Sequence, residues 1–201
     1  MVSPIDFYFD FSSPYGYFAA MRIEKLAAQY ARELRWHPVL LGAIFKTTGA
    51  MPLPNIPVKG TYALHDIART ARFHDIPYQQ PQQFPVSTQV AARAMMVIQQ
   101  TEGSAKAVRF AKAVYRAYFV FDLNVAEPSV VLDIATDLGV DAEALTVAIN
   151  SEQIKMQLKV DVAQALARGV FGSPFFIVES ESFWGFDRFD QMEAFLRDDI
   201  I

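Results

Sequence analysis

The stretch Asp10–Phe18, DFSSPYGYF, decides how this chain is read. Ahead of it Ile5–Phe9, IDFYF, alternates and is rich in aromatic residues, the pattern of a strand. Behind it Phe18, Met21, Leu26 and Tyr30 recur at roughly helical spacing. Pro14 suits the first turn of a helix, where its missing N–H is no loss. Two serines and a proline therefore stand where a strand passes into a helix. A helix start carries unpaired N–H groups and the positive end of the macrodipole, so it attracts an anion. Ser12 or Ser13 serves equally well as a plain cap of that helix. Glu33–Leu41, ELRWHPVLL, then reads as a second strand with Leu34, Trp36 and Val39 inward. Strand, helix and strand form one crossover unit, parallel and right-handed by default.

Working outward, Gly42–Lys59 reads as a loop, because AMPLPNIPVKG carries three prolines. Helices are expected over Thr61–Asp75, Ser87–Gln100, Ser104–Asp122, Pro128–Leu138, Asp141–Asn150 and Ser151–Arg168. Gly103, Gly139 and Gly169 stand as their stops, and Ser87, Ser104, Asp141 and Ser151 as their N-caps. After Gly169 the strand pattern returns in SPFFIVES and SFWGF, with a tight acidic turn around Glu181, and Asp187–Asp199 closes the chain as a helix. The expectation is one sheet domain built from both chain ends, 1–60 and 169–201, with a helical domain, 61–168, inserted into it. The last inserted helix, 151–168, is placed to pack with the sheet.

The 201 residues are 52% hydrophobic, with a net charge of −4. Acids and bases are interspersed, so there is no basic stripe for a nucleic acid to use. No run approaches the ~18 apolar residues of a membrane span. MVSPIDFYFDF has no basic leader region and carries two aspartates, so no secretory signal is read there and a soluble, cytoplasmic protein is expected. The absence of cysteine excludes disulfides, thiolate metal sites and self-supplied thiol chemistry together. His37, His65 and His74 show no metal-ligand spacing, so no metal is expected.

A second motif, GVFGSPFF at Gly169–Phe176, resembles the cis-proline loop of thioredoxin-like proteins. An ordinary trans turn fits the sequence too; a cis Ser173–Pro174 bond leaves the Ser173 backbone free to pair with an extended, peptide-like ligand. In that fold the loop faces the start of the leading helix, where redox members place a cysteine; here the place holds serine. FYFDFSSPYGYFA, VKG at Val58–Gly60, the aromatic helix Phe110–Phe119, VFGSP and FWGFDRF together resemble the 2-hydroxychromene-2-carboxylate isomerases over nearly the whole chain. These are relatives of the kappa-class glutathione transferases among DsbA-like proteins. The resemblance implies an α/β fold: a thioredoxin-like domain with a large all-helical insertion domain, the DsbA-like or kappa-class architecture.

It also implies glutathione as cofactor, an aromatic carboxylate as substrate, cis-trans isomerisation by thiolate addition and elimination, and a homodimer. By position Ser13 meets the glutathione sulfur, and Ser13 is not itself the nucleophile, since no histidine stands as its base. The resemblance places Lys59 at the glycyl carboxylate, the Ser173 backbone, beside Pro174, at the cysteinyl moiety, and Asp187 at the γ-glutamyl ammonium, with Trp184, Gly185 and Phe186 alongside. Lys46 and Asn55 align with contacts to the aromatic acid, and a lysine suits a carboxylate as a point charge. Phe84, with Tyr15 and Phe11, is expected in an apolar wall. Two departures stand out: Phe186 where relatives often carry Asn or Ser, and Ala50 where they often carry Asn. Two other readings stay open: a kappa-like transferase that conjugates electrophiles, and a non-catalytic thioredoxin-like binder, which the two departures suit.

Overall fold

The structure, a computed structural model, describes residues 3–198. Met1, Val2 and residues 199–201, including Asp199 at the end of the expected closing helix, lie outside the described residues.

Four strands form one mixed sheet: β1 (Ile5–Phe9), β2 (Leu34–Pro38), β3 (Phe175–Val178) and β4 (Glu181–Trp184), in the order β2-β1-β3-β4. β1 pairs parallel with β2, in the register Phe7 to Trp36, and antiparallel with β3, in the register Phe7 to Phe176. β4 returns antiparallel along β3. The turn between them lies at Glu179 and Ser180, with Glu179 at φ 58°, so Glu181 opens β4 instead of making the turn.

The helices are α1 (Pro14–Gln29), α2 (Leu41–Thr48), α3 (Lys59–Phe73), α4 (Gln89–Glu102), α5 (Ser104–Phe119), α6 (Pro128–Asp137), α7 (Ala142–Asn150), α8 (Glu152–Ala167) and α9 (Phe189–Asp198). Asp141 and Ser151 cap their helices as expected. Ser87 and Ser104 do not. Thr88 takes the position before α4, and Gly103, at φ 87°, serves both as the stop of α4 and as the residue before α5.

β1 is central and every one of its residues is buried. Its alternation sorts the sheet's two faces. Ile5, Phe7 and Phe9 join Trp36, Phe176 and the α1 residues Phe18, Ala20 and Ile23 in a core that continues into the helices through Tyr115 and Phe119. Phe7 stacks on Phe176 and meets Trp36 edge-on, both with ring centroids 5.0 Å apart. On the opposite face Tyr8, Phe175 and Ile177 pack with Ile44 of α2, Ala92 and Met96 of α4, and Leu158 and Val162 of α8.

α2 corrects the expected Gly42–Lys59 loop. Its first N–H, on Leu41, donates to Asp10 Oδ2 at 2.6 Å, so a carboxylate 31 residues upstream supplies what the local sequence lacks. Gly49 ends the helix in the left-handed region, φ 74°. The prolines act only further on, where Leu53–Asn55 makes one 3-10 turn.

Asp6 shares the sheet face of Tyr8. Its Oδ1 meets His37 Nε2 at 2.8 Å and its Oδ2 meets Arg168 Nη2 at 2.9 Å. Burial pushes this carboxyl up, but the hydrogen bonds and charges of His37 and Arg168 together outweigh burial and hold it below its ordinary value. A carboxyl depressed by folding contributes stability that is present above the unfolded value of about 3.9 and lost as pH falls through the folded value. Asp6→Asn is therefore expected to be less stable than the parent at neutral pH. The gap should begin to close as pH falls below about 4 and vanish below the folded value, as read by denaturant unfolding; a gap that stays constant through that window overturns the ion-pair account.

Candidate functional site

At the head of α1 the two serines divide the work. Ser13 is the N-cap, with extended backbone (φ −90°, ψ 114°), and its Oγ accepts from Gly16 N at 3.0 Å. The same hydroxyl donates to the Ser173 carbonyl at 2.8 Å, which joins the helix start to the loop ahead of β3. Ser12 turns away, and its N–H and hydroxyl donate to Asp10 Oδ1 at 2.8 and 2.9 Å. The Ser173–Pro174 bond is cis, and so is Phe84–Pro85, which nothing in the sequence singled out. Gly16 is what lets these parts meet: a Cβ there would lie 2.7 Å from Tyr115 Oη and 2.8 Å from Ser173 Oγ.

Behind the serines lies Asp10, fully buried. Besides Ser12 and Leu41, its carboxylate accepts from Thr88 Oγ1 at 2.8 Å. Its backbone N–H donates to Ser173 Oγ at 3.0 Å, and its carbonyl accepts from Tyr115 Oη at 3.0 Å. Burial pushes the Asp10 carboxyl up, and the donors from Ser12, Leu41 and Thr88 pull against it. One residue thus ties the end of β1 to α2, to the start of α4, to α5 and to the cis-proline loop.

In front of the serines opens a cleft of about 1080 Å³, walled by the start of α1, α2, the 49–56 segment, the 84–89 segment, Phe171–Ser173 and Trp184. The wall is mainly apolar, with Phe45, Met51, Leu53, Phe84, Phe171 and Trp184 prominent. Among its described residues Lys46 is the one cation, and no histidine faces it. Tyr15 lines the cleft as well. Burial and its 2.5 Å hydrogen bond to Asp66 Oδ2 push the phenol up, so it stays protonated and donates to Asp66. Trp184 lies so close to Gly172 that a Cβ there would come within 2.2 Å of the indole Nε1.

The cleft brings Ser13, Ser173, Trp184, Lys46 and Phe84 together. Lys59, Asn55, Pro174, Gly185, Phe186 and Asp187 stand outside its described wall. Lys59 is exposed as the first residue of α3, and Asn55 is exposed in the 3-10 turn whose neighbours Leu53, Pro54 and Ile56 line the cleft. Pro174 is buried, and its carbonyl accepts from Gly185 N at 3.0 Å. Phe186 points into the core, where its ring meets Phe18, His74 and Phe189. Asp187 is exposed and pairs with Arg188 at 3.0 Å. Phe11, expected in the wall, is instead 1% exposed and packed on Phe9 and Tyr115. The sequence reading missed Thr88 and the coordinating role of Asp10, since both act across long separations in the chain.

Among the described residues no group of three or more His, Asp or Glu is placed to hold a metal ion, and no helix is long and apolar enough to cross a membrane. The pattern of the DSBA-like thioredoxin domain matches residues 4–197. The chain is 28% identical to 2-hydroxychromene-2-carboxylate isomerase of Sphingobium xenophagum, over 98% of this chain and 100% of that one. It is also 28% identical to glutathione S-transferase kappa 1 of Caenorhabditis elegans, over 92% of this chain and 87% of that one. A solved 2-hydroxychromene-2-carboxylate isomerase superposes with a TM-score of 0.84 at 26% identity, covering 94% of this chain and 92% of the other.

Proposed function

Since the chain belongs to the DSBA-like thioredoxin domain family, we propose that it is a glutathione-dependent cis-trans isomerase of 2-hydroxychromene-2-carboxylate or a similar aromatic acid of polycyclic aromatic breakdown. The observation that carries this reading is the Ser13 hydroxyl, held at a helix start against the cis-proline loop, at the mouth of an apolar cleft whose described wall holds a single lysine.

The residues present fit a thiol tripeptide. Ser13 offers a hydroxyl, the first turn offers the Tyr15 N–H that a helix leaves unpaired, and Ser173 offers a backbone edge. Glutathione supplies, when bound, a thiolate that adds reversibly to an electrophilic carbon and so frees a double bond to rotate. Ser13 and the positive end of α1 favour sulfur as an anion there. Lys59 takes the glycyl carboxylate and Asp187 the γ-glutamyl ammonium, from outside the cleft wall. Lys46 takes the substrate carboxylate, while Phe84 and its apolar neighbours hold the ring system and exclude water. No histidine lines the cleft to serve Ser13 as a base, so the serine acts as a donor and not as a nucleophile. The reading carries with it a homodimer in the cytoplasm.

The test follows the substrate's ultraviolet spectrum with glutathione well below the substrate concentration. Complete conversion with no loss of thiol supports the isomerase. Thiol consumed mole for mole favours a conjugating transferase, the reading that the 28% identity to the kappa relative supports. No turnover, and no thermal shift with glutathione, leaves a binder. Lys46→Met is expected to raise KM for the aromatic acid about fivefold with kcat nearly unchanged, as for an exposed ion pair worth roughly 1 kcal/mol. Added salt should erase the difference; an unchanged KM at low salt removes Lys46 from substrate binding.

A further inference from the structure

A second cavity, of about 440 Å³, lies where β1 and β2 meet α4 and α8 on the sheet face of Tyr8, and it shares no lining residue with the cleft. We propose that it binds a neutral polyhydroxy compound, a sugar or polyol, held by the carboxamides of Gln99, Gln100 and Gln164 over a floor of Val39, Met96 and Ala165. Its volume falls in the range of small-molecule sites, roughly 300–1,000 Å³.

The Arg168 and His37 side of the wall is held in place by Asp6. Arg168 also donates to Tyr8 Oη, and the Tyr8 ring stacks on the His37 ring, 4.6 Å away, with the Arg168 guanidinium over it at 5.6 Å. Asp161 accepts from Gln157 Nε2 at 2.7 Å. On α8 and its C-cap, Gln157, Asp161, Gln164 and Arg168 recur at i, i+4, i+7 and i+11, so one polar stripe faces the cavity. The carboxamides of Gln99, Gln100 and Gln164, on exposed residues, have no hydrogen-bond partner in the protein among the described residues.

This inventory selects the ligand. An anion would meet the Asp161 carboxylate and a guanidinium that Asp6 already holds. An apolar ligand would strip three carboxamides of water without replacing their hydrogen bonds. A carboxamide both donates and accepts, and so does a hydroxyl, so neighbouring hydroxyls of one ring match these side chains group for group. Beneath them Val39, Met96 and Ala165, each almost wholly buried, close the floor.

The experiment titrates the full chain with myo-inositol and with D-glucose, reading the His37 imidazole signals by NMR, with His65 and His74 as internal references. A saturable shift confined to His37, abolished in the Gln99→Leu/Gln164→Leu variant while its reference signals stay native, is the expected result. If that variant does not fold, Gln100→Leu is read in its place and is expected to weaken binding. No saturable shift with either polyol, or a shift that the variants leave intact, overturns the proposal. Preferential binding of inorganic phosphate or citrate overturns it too. None of these readouts depends on the catalytic reading of the cleft.

Discussion

Ser13→Ala is expected to lower kcat/KM for the isomerisation by about 10²–10³-fold, the loss that follows removal of one preorganised donor to an anion. The reason lies in the single proton of that hydroxyl. In the free protein it goes to the Ser173 carbonyl at 2.8 Å, while the oxygen accepts from Gly16. On the proposed reading, a thiolate at the helix start would offer a charge-assisted bond roughly twice as strong, and the proton would turn to sulfur. The Ser173 carbonyl would then be released to accept from the ligand's own peptide N–H. One rotation serves both contacts, and alanine removes it. A free thiol has a pKa of about 8.5, and thiols at helix starts fall to roughly 3.5–7.5. The alanine variant keeps the helix end but not the hydroxyl, so the rate–pH profile is expected to move toward alkaline pH, with partial recovery of rate there.

Stability separates this from a folding defect. Loss of the cap costs about 1 kcal/mol, which in a chain of this length lowers Tm by only about 2–4 °C. The measurements are the rate–pH profile, the ultraviolet thiolate absorbance of bound glutathione, and a thermal melt. An unchanged profile with a lowered Tm would show that Ser13 is a cap and nothing more.

How far the sequence carried this site follows from the range of each contact. The Ser13 cap is a three-residue interaction with Gly16, and Pro14 at the helix start is read from position alone. The strands and the long helices announce themselves by period, and the Gly-Ser-Pro motif marks the opposing loop. α2 was not legible, because its N-terminal acceptor stands on Asp10, and neither were the hydrogen bonds of Thr88 to Asp10 and of Asp10 to Ser173, 78 and 163 residues apart. Phe11 departs from its expected place in the wall for a related reason, while Phe84 and Tyr15 line the cleft. Phe11 and Phe84 look alike in sequence, yet Phe11 falls on the core side of the turn and Phe84 on the cleft side. Composition tells that a residue wants burial, not which surface buries it.

The same long contacts make Asp10 the position where substitution should cost most. Asp10→Ala removes the acceptor of the Leu41 and Ser12 N–H groups and of the Ser12 and Thr88 hydroxyls. Hydroxyls can rotate to other partners; a backbone N–H cannot. A donor left unsatisfied costs about 1–3 kcal/mol when buried, and the Ser12 and Leu41 N–H groups are part-buried beside the cleft, so a loss of about 2–4 kcal/mol is expected, against a typical total of roughly 5–15. Tm should fall by about 4–16 °C. Asp10→Asn keeps the side-chain volume and one acceptor oxygen, and is expected to fall between alanine and the parent. The damage should also reach the cleft, because the Leu41 N–H that Asp10 holds begins the helix that carries Lys46. In the asparagine variant, KM for the aromatic acid is therefore expected to rise more than KM for glutathione. Denaturant unfolding of both variants, beside steady-state kinetics of the asparagine form, checks this. An alanine variant within about 1 kcal/mol of the parent would mean that the donors find other acceptors, and Asp10 would no longer be what joins the sheet to the walls of the cleft.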